Sequence, residues 1–384
     1  MSTIAVNSQI LNWARERSGL TVEYILEKFP KFLKWMSGEE SPELKQLEKF
    51  AHKTYTPLGY LFLQEPPDET LPIPNFRTVK DKHILRPSPN LIETFHTMRR
   101  RQNWMHDYLI EEKETPLPFV GSVTVDTDIK FAAKSIRDTF GLTTDWAAHY
   151  STWRDALAAL RNLVDRAGIL IARNGVVGNN NYRKLDVAEF RGFVLIDNMA
   201  PLIFINGADF EGAQMFTIAH ELAHVWLGSG SIFNLAFLQP FDDNKEKFCN
   251  KVAAEFLVPE NEIRKAWKEV ENTKNPFGSL SKQFKVSTLV VARRALDLGF
   301  INLTRFLAFY GKYKEEQEDL QLTKKSKKGG GDFYRNQNVR IGKRFAHAVI
   351  QATKEGRLLY RDAYRLTGLH EKTFNEYSIK LGIN

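Results

Sequence analysis

Cysteine is almost missing from this chain. Cys249 is the single one in 384 residues, so no intramolecular disulfide can staple the fold, and a packed core has to hold it. No stretch approaches the roughly 18 uninterrupted apolar residues of a membrane span, which excludes a transmembrane helix and a membrane partner. Met1 to Gly19 lacks the basic, apolar, small-residue order of a secretory leader. Together with the lone thiol, this makes a cytoplasmic protein the expectation. Internal repeats are absent too, which leaves an ordinary globular chain long enough for two or three domains, with 43% hydrophobic residues to fill their cores.

Net charge is absent from most of the sequence. Residues 1–300 hold 37 Lys/Arg against 37 Asp/Glu, whereas residues 301–384 hold 17 against 9, so the whole excess of +8 sits in the tail. A basic tail is an electrostatic footprint for nucleic acid or an acidic protein, or simply a solvated face.

Residues 8–65 read as short helices, with Ile10, Leu11, Trp13 and Ala14 before Gly19, Thr21 as an N-cap, and Pro30 and Ser41-Pro42 opening later ones. The proline-rich stretch Gln64 to Pro74 makes a boundary. Amphipathic helices are predicted for about 90–112, 126–140 and 151–166, the last with Ser151 as N-cap. Three β-rich runs follow, at 168–177, Gly192–Ile196 and Leu202–Ile205, and predict a small sheet. Gly175-Val176-Val177-Gly178 lacks the spacing of a phosphate loop and is assigned a turn. From Gly212 the period becomes helical until Gly228, and another helix runs from about Asn244 to Val258. Lys324 to Gly331 is a polar linker, and a last helical module begins near Ile341.

The chemistry concentrates in His220-Glu221-Leu222-Ala223-His224, an H-E-x-x-H inside the helix after Gly212. Histidines four apart lie on one helix face, so both can reach one zinc ion, and Glu221 points at the open position as a general base. Ala219, Leu222 and Ala223 give that helix an apolar side for the core, so the imidazoles gain a fixed platform. Zinc needs a third ligand. Glu246 is the choice, since it starts the next helix and shares a face with Asn250, Ala253 and Leu257. Asp242 and Asp243 are alternatives at the helix entrance. Glu255 lies nine residues on, about 180° around the helix, and should face away. Cys249, with no histidine placed to activate it, reads as a small core residue.

The segment Phe216 to His224, followed by Glu246 to Pro259, resembles the ImmA/IrrE metallopeptidases in both halves. The resemblance implies zinc ligation by His220, His224 and Glu246 with Glu221 as the catalytic base. It also implies a zincin-like core and a protein substrate, since family members act on helix-turn-helix repressors of mobile elements or stress regulons. A strand such as Leu202 to Asn206 precedes the active helix in the family and could pair with an extended substrate. The segment Leu280 to Arg294 is similar to the helical stretch that closes these domains.

Towards the N-terminus, Asn12 to Thr21, with Leu44, Leu47 and Ala51, resembles an XRE-type helix-turn-helix, in which Lys31, Lys34 and Ser37 would be offered to DNA. A purely structural helical module is the other reading. Longer chains with this layout, including Ile73-Pro74-Asn75-Phe76-Arg77 and Gly330-Gly331-Asp332-Phe333-Tyr334, look like a branch often paired with a small toxin, which brings in an antitoxin role and a cognate toxin. Two basic stretches add candidates for phosphate. Ser287 caps a second candidate helix-turn-helix bearing Arg293 and Arg294, for which a core helix with an exposed Arg pair is the plainer reading, and Arg99-Arg100-Arg101 reads as charge on a solvated helix face.

The expected fold is α+β and mostly helical: a zincin-like metallopeptidase core with a small β-sheet and helical N- and C-terminal modules. The expected layout is a helix-turn-helix region at 1–66, the peptidase domain at 75–313, a linker at 314–332 and a C-terminal helical module at 333–384. The expected activity is a zinc-dependent endopeptidase acting on a regulatory protein. A DNA-binding regulator with a structural or dormant zinc site is the alternative.

Overall fold

The computed structural model describes residues 3–69, 87–233, 244–323 and 333–383. Asp242, Asp243, the Ile73–Arg77 element, the Lys324–Gly331 linker and Asp332 lie outside the described residues. The chain divides into two compact units, residues 1–96 and 97–384.

The first unit holds α1 (Ser8–Arg17), α2 (Val22–Lys28), α3 (Phe32–Ser37) and α4 (Leu44–Lys53). Asn7 caps α1 and Thr21 caps α2, each accepting a backbone N–H at the helix start. Ile10, Leu11, Trp13, Phe32, Trp35, Leu47 and Phe50 form its core. Helix α5 (Pro89–Glu111) spans the boundary between the units.

In the second unit α6 (Ile129–Phe140) and α7 (Trp153–Arg166) precede β1 (Leu170–Asn174). Thr152, and not Ser151, caps α7, accepting from the Asp155 N–H at 3.1 Å; two adjacent hydroxyls compete for the role, and the one next to Trp153 takes it. Next comes an antiparallel ribbon of β2 (Val176–Val177) and β3 (Asn180–Lys184), so Val176 and Val177 belong to a hairpin strand where the glycines had suggested only a turn. Strands β4 (Gly192–Leu195), β5 (Leu202–Asn206) and, after helix α8 (Glu211–Leu227), β6 (Ser231–Phe233) complete a mixed sheet of order β1-β5-β4-β6. β5 runs parallel to β1 and antiparallel to β4, and both its edges are occupied. An extended peptide therefore cannot pair with Leu202–Asn206, contrary to the sequence-based expectation.

Every residue of α8 from Gly212 to Trp226 is buried, as expected of a helix enclosed on all sides. Gly228, with φ of 67°, ends it in a left-handed cap. Gly192 lets β4 come close to this helix. A Cβ there would lie 2.6 Å from Thr217 Cγ2 and 2.9 Å from the Phe204 carbonyl oxygen.

Helix α9 (Asn244–Leu257) packs on α8 through Phe248, Cys249, Val252, Ala253 and Phe256, and is followed by α10 (Glu260–Val270), α11 (Pro276–Phe284), α12 (Thr288–Asp297) and α13 (Leu303–Thr323). The end of α9 is held by buried charge. Arg137 donates to the Glu255 and Phe256 carbonyls at 3.0 and 3.3 Å, and Arg294 donates to the Val258 carbonyl at 3.1 Å while pairing with the Glu255 carboxylate. Arg294 is thus a buried structural cation, not one offered to phosphate. Arg293 lies outside the core, paired with Asp297 at 3.0 Å.

Four helices complete the unit: α14 (Phe333–Ile341), α15 (Lys343–Lys354), α16 (Tyr360–Thr367) and α17 (Glu371–Lys380). Here a second reading changes. Arg101 is not on a solvated face but buried, donating to the Arg340 and Leu366 carbonyls at 2.9 Å each, and burial draws its guanidinium down to about 10. Two helix ends thereby share one cation, which supplies donors to carbonyls that lack intrahelical partners. At the α14–α15 junction Gly342 lies close against β1, where a Cβ would come within 3.1 Å of the Ile171 carbonyl oxygen.

Removing Glu255 leaves Arg294 buried without its counter-charge, which costs about 3–5 kcal/mol in comparable sites. Glu255→Ala should lower the denaturation midpoint of the second unit markedly. An unchanged midpoint would contradict the structural role.

Candidate metal centre

Helix α8 carries His220, Glu221 and His224, and α9 brings Glu246 across to them. The separation of four places both imidazoles on one side of α8, with Nε2 atoms 3.1 Å apart. Glu246 sits in the first turn of α9 with Oε2 at 3.2 Å from His220 Nε2 and Oε1 at 3.3 Å from His224 Nε2. Both histidines are fully buried, and Glu246 is the member of the three with some exposure. Among the described residues this is the one His/Cys/Asp/Glu group whose donor atoms meet closely enough to hold a metal ion.

The donor set fits a divalent cation. A tetrahedral ion with bonds of about 2.0–2.1 Å has ligand-to-ligand edges of roughly 3.3–3.4 Å, near the 3.1 Å between the two imidazole nitrogens and the 3.2 and 3.3 Å from each of them to one oxygen of Glu246. Burial lowers the affinity of His220 for a proton, so its neutral, metal-binding form is favoured, although Glu246 pulls the other way. Burial alone would raise the Glu246 carboxyl, yet its hydrogen bonds with His220 and His224 outweigh that and hold it far below the usual carboxylate range. The group therefore offers two imidazole nitrogens and one ionised carboxylate.

Glu221 is fully buried on the same helix, beside Gly192 of β4, where a Cβ would stand 3.4 Å from its Oε1. Glu255 lies away from the group, as its angular position on the helix predicts, and binds Arg294 and the Glu260 N–H instead. Two neighbours were not singled out from the sequence. The Asn250 side chain, one turn after Glu246, hydrogen-bonds to His220; its place on the Glu246 face was the available signal. Gly192 gave none, because its role depends on a helix distant in sequence.

Metal occupancy should be nearly flat from pH 8 to 7 and fall steeply below about pH 6, because protonated imidazoles lose their lone pairs while Glu246 stays ionised. Depression of the His220 pKa moves that fall to lower, not higher, pH. Equilibrium dialysis against zinc across pH 5–8 measures it, and a flat profile throughout would contradict the ligand assignment.

No curated protein matches the chain. Residues 341–380 match a family described as a domain of unknown function, which covers the whole of α15 to α17. Residues 164–296 match the IrrE N-terminal-like domain of the M78 peptidases. That match spans the sheet, α8, α9 and nearly all of α12, so the part of the chain that gathers His220, His224 and Glu246 is similar to a metallopeptidase family, which implies a metal cofactor and a protein substrate.

Proposed function

We propose that the chain is a zinc-dependent endopeptidase in which His220, His224 and Glu246 hold the ion and Glu221 is the general base. The observation that carries this reading is the convergence of two imidazole Nε2 atoms, 3.1 Å apart, on the Glu246 carboxylate, whose two oxygens lie 3.2 and 3.3 Å from them, with a buried carboxylate one residue from the first histidine. When bound, the zinc ion lowers the pKa of water towards about 7 and polarises the scissile carbonyl. Glu221 takes the proton from the attacking water and returns it to the leaving amine. Its burial keeps competing solvent away from that transfer, and Gly192 leaves room for its carboxylate.

In this reading residues 75–313 form a zincin-like peptidase domain, joined to the helical module at 333–384 through residues 314–332, the first ten of which continue α13. Because β5 and β4 are interior and the β1 side is packed by α14, an extended peptide would add to the sheet beyond β6, one strand away from Gly192. A regulatory protein with a flexible, strand-competent segment is the substrate class this suits, in a toxin-antitoxin, mobile-element or stress-response circuit. A cognate toxin is the corresponding partner, and the cytoplasm the expected compartment.

Glu221→Gln should keep its zinc and lose cleavage by several orders of magnitude. Glu246→Ala should lose zinc affinity. Intact-mass analysis of co-expressed candidate substrates, with metal content measured on the same samples, reads both; retained cleavage in Glu221→Gln would falsify the mechanism.

A DNA-binding role for residues 1–66 is a second reading, favoured by the three-residue connection between α2 and α3, the length used in helix-turn-helix units. Lys31 and Lys34 are exposed but both pair with Glu40, at 2.7 and 2.8 Å, and would have to exchange that carboxylate for phosphate. Glu40→Ala should then strengthen duplex binding at low salt. Binding unaffected by this change would remove those lysines from the interface.

A further inference from the structure

Helices α16 and α17 have a geometry that peptide hydrolysis leaves unused. Gly368, with φ of 72°, ends α16, and only Gly368, Leu369 and His370 separate it from α17. Two helices joined by a three-residue turn with glycine form the unit that lays its second helix in a DNA groove. Ala363, Thr367, Leu369, Phe374, Tyr377 and Ser378 are its buried residues. Tyr360 and Tyr364 meet the edge of Phe374 with ring centroids 6.4 and 5.4 Å away, and α15 packs against α16. On its outer side α17 exposes Glu371, Lys372, Asn375 and Ile379.

The β2–β3 ribbon is anchored at this turn by Asn179. Its side-chain amide donates to the Gly368 carbonyl at 2.9 Å, and its oxygen accepts from Arg340 at 2.8 Å and Gln337 at 3.2 Å. Beyond that anchor the ribbon holds Asn180, Asn181, Tyr182 and Lys184 in solvent, with Tyr182 96% exposed. Together α16, α17 and the ribbon carry Arg361, Arg365, Lys372, Lys380, Arg183 and Lys184 against Asp362, Glu371 and Glu376, and the ribbon supplies most of that positive excess. Arg361 and Lys372 stand in the first turns of the two helices, where this unit meets phosphates; the nearest acid to Arg361 is its neighbour Asp362 at 3.5 Å.

We propose that α16, α17 and the β2–β3 ribbon form one docking surface for double-stranded DNA, with α17 in the major groove and the ribbon along the adjacent backbone. Hydrogen-bonding side chains on the exposed face of α17 suit base edges, and the positive charge suits phosphate. An acidic protein is the rival occupant.

The full chain is titrated into a fluorescent random-sequence duplex of about 30 base pairs, roughly three helical turns, at several salt concentrations. Anisotropy should show affinity that falls steeply with salt. The double variant Arg361→Ala/Lys372→Ala should bind about tenfold or more weakly near 0.1 M salt and reduce the log–log salt slope by about 2. Tyr182→Ala should also weaken binding, and both losses should persist when Lys31 and Lys34 are alanine. All these side chains are exposed, so an unchanged melting curve verifies folding. The proposal is overturned by absence of duplex binding, by salt-independent binding, by preference for single-stranded RNA, or by unchanged affinity in the double variant.

Discussion

Two imidazole nitrogens and a carboxylate converge in a nearly dry pocket between α8 and α9, and the surrounding structure serves to keep them there. Electron-rich atoms this close are held together favourably by protons or a cation shared among them. Burial disfavours the proton on His220, which suits a shared cation. The close approach of α8 and α9 depends on small residues such as Cys249 and Ala253, and the register of α9 depends on how its far end is fixed. That end is anchored by Arg137, Arg294 and Glu255, a buried ion pair and its carbonyl partners on the helix that carries Glu246.

The candidate ligands were legible because their signal is local. His220 and His224 lie one turn apart, and Glu246 opens a helix whose apolar positions repeat every three to four residues. Helix α8, its Gly228 cap, α9 and strands β4 and β5 follow from the same short-range patterns. What escaped depends on contacts distant in sequence. Arg101 and Arg294 have the composition of surface cations, but each finds carbonyls or a carboxylate from elements far along the chain and is drawn inside. The β2–β3 hairpin is polar, with no alternating pattern to reveal it, and β6 is three residues long. Which strand lies in the interior of the sheet is likewise a matter of topology, which the sequence of Leu202–Asn206 does not express.

The same principle joins the last four helices to the rest of the second unit. Arg101 alone bonds to the ends of α14 and α16, Arg344 donates its backbone N–H to Asp165 at 3.1 Å, and Asn179 ties the hairpin to the turn before α17. The proposed hydrolytic and DNA-docking surfaces therefore belong to one packed unit, in which β1 and β4 pair on either side of β5.

The central claim is that one zinc ion is held by His220, His224 and Glu246. X-ray absorption at the zinc edge of the loaded full-length protein tests it most directly. The account predicts a first shell of only nitrogen and oxygen at about 2.0–2.1 Å, with multiple scattering from two imidazoles that drops to one in His224→Ala. A shell containing sulfur at about 2.3 Å, or a spectrum unaltered by His224→Ala, would contradict it.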